Sequence, residues 1–116
     1  MNKFEQELKN NNFLCSYCTK CNKLVWPPND FCSKCFGDII WRPVSRFARL
    51  VEFSSKNNEF FCIAEFENSI KVMGSIENAV NLQVGQNLFL VKCDYDKNER
   101  FVFRPVLSTR GYESFF

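Results

Sequence analysis

From residue 44 onwards, five largely apolar stretches separated by polar residues predict strands, and one of them alternates clearly between apolar and polar positions. The clearest stretch is IKVMGSI at 70–76, where every second residue is apolar or small. The other predicted strands span 44–53, 60–66, 88–95 and 100–106. Residues 77–86 lose this period and leave room for one helical turn that ends at Gly85.

Five strands with a helical connection between the third and the fourth are the order of an OB-fold, a five-stranded, partly open Greek-key barrel. A plain meander or another small barrel would fit the same number of strands. We therefore expect a mainly β protein, and the OB-fold barrel is predicted to occupy residues 43–116.

The first residues have a different pattern. KFEQELK at 3–9 fits a short amphipathic helix with Phe4 and Leu8 one turn apart, and three asparagines follow it. A seven-residue helix is not stable alone in water, so the segment is either a frayed terminus or a helix that needs a partner. We predict a docking helix in residues 1–13.

Composition narrows the class of protein. The chain has 116 residues, 46% of them hydrophobic and 14 of them Phe, which is enough for one domain with a real core. It has no histidine, so hydrolases that pair Ser or Cys with His are excluded. No apolar run is long enough to span a bilayer, and the first residues do not resemble a secretory signal. A cytoplasmic, reducing location is therefore expected, where cysteines hold metals more often than they form disulfides.

Five of the seven cysteines lie between residues 15 and 35. Cys18 and Cys21 form one C-x-x-C pair, and Cys32 and Cys35 form a second. Two such pairs across a short loop can bring four thiolates onto one tetrahedral Zn²⁺ ion, in a closed and structural site. We predict a zinc ribbon at residues 14–42, with iron left open because it uses the same ligands.

Cys15 offers an alternative, since it also stands three residues before Cys18. We prefer Cys21 as the ligand, because each preferred pair is then followed by a residue that can relax the turn: Asn22 after the first, Phe36 and Gly37 after the second. Cys15, Cys62 and Cys93 are predicted to be buried thiols.

Charge bears on nucleic-acid binding. The formal net charge is +2, and four thiolates around one Zn²⁺ ion would contribute about −2, so the loaded chain is nearly neutral. Arg46, Phe47 and Arg49 could form a basic, aromatic surface for single-stranded nucleic acid. Near-neutral charge makes this the weaker interpretation.

The order of these features resembles the family known as domain of unknown function 35. The matching stretches are CTKCNKLVWPPNDFCSKC at 18–35, VGQNLFLV at 84–91 and FRPV at 103–106. The resemblance implies a short N-terminal helix, a rubredoxin-like zinc ribbon and an OB-fold barrel. Three departures are Asn22, Phe36 and Asn68, which stand where glycine is usual.

The resemblance also implies a function. Members of the family accompany thiolases, 3-hydroxy-3-methylglutaryl-CoA synthases and MaoC-like hydratases. The expectation is therefore a non-catalytic bridging subunit, not an enzyme, that holds acetoacetyl-CoA thiolase to the synthase of an archaeal-type mevalonate pathway and contributes to CoA binding. Lys71, Asp94, Asp96 and Glu99 are then ordinary surface residues. Candidates for a partner-binding surface are Phe4, Leu8, Trp26, Phe31, Phe115 and Phe116.

Overall fold

A computed structural model describes residues 2–106 of the chain. One helix and eight strands follow one another: α1 Lys3–Lys9, β1 Leu14–Cys18, β2 Lys23–Val25, β3 Ile39–Pro43, β4 Phe47–Lys56, β5 Glu59–Phe66, β6 Ile70–Ile76, β7 Asn87–Asp96 and β8 Asn98–Pro105. The predicted partner-contacting residues Phe115 and Phe116 lie outside the described residues. Within residues 2–106, no helix has the length and apolar composition needed to cross a bilayer.

The last five strands close into a barrel in the order β4-β5-β6-β8-β7, and β7 returns to pair with β4. All pairs are antiparallel except β6 with β8, which run parallel through Ser75↔Val102 and Ile76↔Phe103. This is the five-stranded barrel predicted from the number and order of the strands, and the mainly β class is confirmed. Two bulges, at Leu50/Glu52 and Leu90/Lys92, bend the long strands β4 and β7 where the barrel turns.

Side chains on alternate strand positions fill the barrel. The most deeply buried members of this core are Leu50, Ala64, Phe66, Ile70, Leu88, Leu90 and Phe103. Gly74 lies at the one parallel contact, where a Cβ atom would approach the Phe101 carbonyl oxygen to 2.6 Å. Glycine is thus required at that position by close packing of β6 on β8.

The predicted helical turn between the third and fourth barrel strands does not form. Asn78 and Asn81 have left-handed φ angles of 54° and 52°, which a right-handed helix cannot accommodate. The segment binds β4 instead: the N–H of Gly85 donates to the Leu50 carbonyl at 2.7 Å, and the N–H of Leu50 donates to the Gln86 carbonyl at 2.8 Å.

Phe13, between α1 and β1, packs against the barrel through its ring. The centroid of the Phe13 ring lies 5.0 Å from that of Phe66 and 5.2 Å from that of Phe101, and both ring pairs are edge to face. Phe4 of α1 and Trp26 of the ribbon complete the aromatic cluster, with their ring centroids 5.7 Å apart. Helix, ribbon and barrel therefore share one apolar cluster.

The apolar face of α1 is used within the chain, which corrects its predicted role. Phe4 and Leu8 are 5% and 0% exposed, and the helix packs on β7. Asn2 and Glu5 form a reciprocal capping box that stabilises its first turn. The two side chains expected to contact a partner are buried, because the barrel provides the apolar surface that a seven-residue helix needs.

Candidate metal centre

The ribbon is a three-stranded antiparallel sheet in the order β2-β1-β3. Cys18 is the last residue of β1, and Cys21 lies in the tight turn that leads to β2. Cys32 and Cys35 lie in the second turn, just before β3, where Phe31 and Asp38 form an isolated bridge. Each cysteine pair is thus carried by a turn that is held at its base by strand pairing.

The four sulfur atoms converge. All lie within 4.8 Å of one another, with 3.5 Å between the Sγ atoms of Cys18 and Cys35 and 3.9 Å between those of Cys21 and Cys32. Four sulfurs bound tetrahedrally to a Zn²⁺ ion at about 2.3 Å would be separated by about 3.8 Å. The geometry therefore fits a single tetrahedral metal ion.

Backbone N–H groups surround the thiols. The N–H of Cys21 donates to the Cys18 sulfur at 3.3 Å, and the N–H of Gly37 donates to the Cys35 sulfur at the same distance. Such bonds favour the thiolate, which is the form that binds metal. The chain turns sharply after each pair, with φ angles of 54° at Asn22 and 56° at Phe36, and the turn at Phe36 precedes the donating N–H of Gly37.

The thiols differ in acidity. Backbone N–H groups of Cys35 and Lys34 lower the pKa of Cys32 to about 6. Hydrogen bonds with the sulfurs of Cys18 and Cys32 raise the pKa of Cys21 to about 12. Neighbouring sulfurs thus compete for protons, and a divalent cation would allow all four to be ionised together. The donor set fits a soft or borderline metal ion.

The remaining cysteines lie apart from this cluster. Cys15 is fully buried, and its thiol donates to the Val25 carbonyl at 3.3 Å. Cys62 and Cys93 belong to the barrel core. Burial raises the pKa of each of these three thiols to about 11, so they pack as small apolar side chains.

The loop between the two pairs covers the cluster on one side. Trp26, Pro27 and Pro28 line a cavity of about 380 Å³ together with Cys18, Cys21 and Cys32. Trp26 also packs on Phe4 and Phe13, so it connects the metal-side loop to the helix. Phe31 remains 44% exposed and stacks on Phe36 at 6.2 Å.

Charged residues that could serve nucleic acid are used within the protein. The Arg46 guanidinium donates to the carbonyls of Leu90 and Asn11, at 3.1 and 3.2 Å. Arg49 forms an ion pair with Glu65. Phe47 is 57% exposed. Hydrogen-bond donors of Arg46 and the charge of Arg49 are therefore engaged by partners within the chain.

The acidic and basic residues that an active site would need are dispersed. Asp96 forms an exposed ion pair with Arg100 at 3.8 Å. Lys71 and Glu99 border a surface cavity of about 330 Å³ beside Trp26 and Met73. The Asp94 carboxylate accepts a hydrogen bond from the backbone N–H of the next residue, Tyr95, at 2.7 Å.

An ion pair that sequence reasoning missed joins the ribbon to the barrel. Arg42 on β3 donates two bonds to Glu67 in the β5–β6 turn, at 2.8 and 3.2 Å. The Arg42 guanidinium also lies over the Tyr17 ring, 4.9 Å from its centroid. Glu67 accepts a third bond from the Ser45 N–H at 3.1 Å. No local pattern marks a pair whose members are 25 residues apart.

Comparison with known proteins agrees with this architecture. Residues 6–40 match the family model described as ChsH2, rubredoxin-like zinc ribbon domain. A structure described as Ltp2-ChsH2(DUF35) aldolase is 14% identical, with a TM-score of 0.72 over 92% of this chain and 98% of that chain. A DUF35 protein of unknown function from Sulfolobus solfataricus is 19% identical, with a TM-score of 0.62 over 86% of this chain and 81% of that chain. No curated protein matches the chain.

These matches confirm the resemblance noted in the sequence and correct one expectation drawn from it. The prediction that the chain is not an enzyme is wrong, because one of the matched structures is described as an Ltp2-ChsH2(DUF35) aldolase.

Proposed function

The chain carries a ChsH2-type rubredoxin-like zinc ribbon and has the fold of the DUF35 proteins, and from this premise we propose that it is a subunit of an enzyme complex that acts on CoA thioesters. The observation that carries the proposal is the match, over 92% of the chain, to a structure in which a DUF35 chain forms part of an aldolase. In this proposal the subunit contributes to the activity of the assembled enzyme.

The metal of the ribbon is proposed to be zinc, held by Cys18, Cys21, Cys32 and Cys35. The convergence of four sulfurs within 4.8 Å supports this ligand set. Zinc accepts four thiolates in a tetrahedron and leaves no open position for water, so it supplies folding energy to a segment too small for its own core. Iron would bind the same residues, and metal analysis with visible absorbance separates the two.

The partners proposed for this subunit are a thiolase-like or aldolase enzyme and an acyl-CoA synthase or hydratase. A narrower version of the proposal names the partners as acetoacetyl-CoA thiolase and 3-hydroxy-3-methylglutaryl-CoA synthase of the mevalonate pathway. It places the complex in the cytoplasm and has this chain contact CoA itself. The sequence resemblance to the DUF35 family is the support for this narrower version.

Nucleic-acid binding is the second candidate for an OB-fold joined to a zinc ribbon. It requires a concentrated basic face with stacking aromatics. Arg46 donates to backbone carbonyls and Arg49 pairs with Glu65, so these two residues have fewer donors free for a phosphate backbone. The observed contacts thus favour the enzyme subunit.

Co-purification tests the proposal. The tagged chain is recovered from its own cells, with and without nuclease treatment, and the bound proteins are identified by mass spectrometry. We expect an enzyme of CoA-thioester metabolism in fixed ratio, unaffected by nuclease. Recovery of nucleic-acid-binding proteins alone, lost after nuclease, would overturn the proposal in favour of the second candidate.

A further inference from the structure

The barrel presents an apolar and cationic surface that is separate from the ribbon's metal centre. We call it the β4–β7–β8 surface and define it by Phe47, Phe89, Arg104, Pro105 and Val106, which line a shallow cavity of about 370 Å³. Register places three of these side chains in one row across the sheet, because Phe47 pairs with Phe89 and Phe89 pairs with Arg104. Neither the metal nor the ribbon uses this row.

The row has a defined geometry. The Phe47 and Phe89 rings meet edge to face at 5.3 Å, and Phe47 is 57% exposed. The Arg104 guanidinium lies over the Phe89 ring, 5.1 Å from its centroid. A guanidinium held against an aromatic face keeps its N–H donors at the edge of the plane, where they can reach a carboxylate from solvent.

Arg104 differs from the other arginines in residues 2–106. Arg42, Arg49 and Arg100 each pair with a carboxylate. Arg46 donates to backbone carbonyls. Arg104 makes the ring contact and has no hydrogen bond or carboxylate partner among the described residues. Within residues 2–106 its positive charge has no carboxylate partner, and this favours a contact with an anionic group.

We propose that the β4–β7–β8 surface is the docking site for the thioester enzyme, through a carboxylate of that enzyme framed by apolar side chains. The inference rests on the proposed function and specifies which face of the subunit is used. Charge complementarity favours this occupant, because a cation set among aromatic rings suits an acidic group with an apolar border. Aromatic residues and arginine are also the residue types enriched at the centres of protein interfaces.

Site-directed photocrosslinking tests the docking site and identifies the partner in the same experiment. Phe47 is replaced by p-benzoylphenylalanine in the full-length tagged chain, expressed in its own cells, and the crosslinked protein is identified. A matched variant carries the same group at Met73, which is 75% exposed on β6. We expect position 47 to crosslink to an enzyme of CoA-thioester metabolism and position 73 to give no such product.

Other products would overturn the docking site. A crosslink from position 47 to a second copy of the chain, or to residues 107–116 of the same chain, would assign the surface to that occupant. Crosslinking to the enzyme from position 73 alone would move the interface to another face. Co-purification separates the two failures: an enzyme that co-purifies but does not crosslink from position 47 refutes only the docking site. If no such enzyme co-purifies, both proposals fail.

Charge reversal gives a quantitative readout once the enzyme is in hand. Arg104→Glu is expected to weaken the Kd of the complex by at least about tenfold. Arg100→Glu is the control, because it makes the same charge change on the same strand about 13 Å away. Equal weakening by both variants would show a general charge effect and contradict a specific contact at Arg104.

Discussion

Single residues determine the form of the metal centre. Asn22 and Phe36 adopt left-handed backbone angles directly after the two cysteine pairs, and the Gly37 N–H that follows Phe36 donates to the Cys35 sulfur. Asparagine tolerates this conformation well, whereas for a phenylalanine it costs about 1–2 kcal/mol in steric strain. Metal binding at the four cysteines would offset such local strain.

At this scale the first prediction concerns the choice of ligands. Cys21→Ser should remove the bound metal, because it deletes one of four converging sulfurs. Cys15→Ser is the matched control and should keep one metal ion per chain, since Cys15 bonds Val25 and lies outside the cluster. Metal content is measured by mass spectrometry of the purified variants. Loss of metal from the Cys15 variant would instead make Cys15 a ligand.

A second residue-scale prediction concerns pH. Arg42 lowers the pKa of Glu67 below its ordinary value of 4.5, so the ionised carboxylate stabilises the folded state. This contribution is complete above pH 4.5 and is lost as pH falls through the lowered pKa in the folded protein. Glu67→Gln should therefore lose about 1 kcal/mol of unfolding free energy at pH 7, and less in acid.

Denaturant unfolding at neutral and at acid pH measures this difference, with Glu59→Gln as the exposed control. The difference between wild type and the Glu67 variant should shrink on acidification, and the control should show little change. A difference that is constant with pH would mean that the Glu67 charge does not stabilise the fold.

At the scale of elements, the sequence predicted what local pattern can determine. Alternation along β6 and β8 marks strands because each residue faces either the core or solvent, whatever its neighbours are. The helical turn expected at 77–86 does not form, because two asparagines adopt left-handed φ angles and the segment forms backbone hydrogen bonds with β4. These hydrogen bonds are tertiary contacts, so the local sequence does not predict them. The Arg42–Glu67 pair and the packing of α1 on β7 depend on tertiary contacts in the same way.

Helix α1 provides the prediction at this scale. Leu8 is fully buried against the barrel, so Leu8→Ala should cost about 2–5 kcal/mol of unfolding free energy. Lys3→Ala is the control on the exposed face of the same helix and should have little effect. Equilibrium unfolding measures both. A Leu8 variant as stable as wild type would show that the helix is not part of the core and would restore its interpretation as a docking segment.

The whole molecule is one connected structure. Trp26 from the ribbon, Phe4 from the helix and Phe13 meet in an aromatic cluster that contacts the barrel through Phe66 and Phe101. The Arg42–Glu67 pair fixes the ribbon to the barrel at a second point. The ribbon and the barrel are therefore joined by aromatic packing and by an ion pair as well as by the connecting chain.

Turnover of the co-purified enzyme on its CoA thioester, measured with and without this chain, decides whether the chain takes part in the assembled enzyme. We expect removal of the chain to lower kcat/KM by at least about tenfold, and addition of the purified, metal-loaded chain to restore it. An enzyme with the same kcat/KM in both states would contradict a role for this chain in the assembled enzyme.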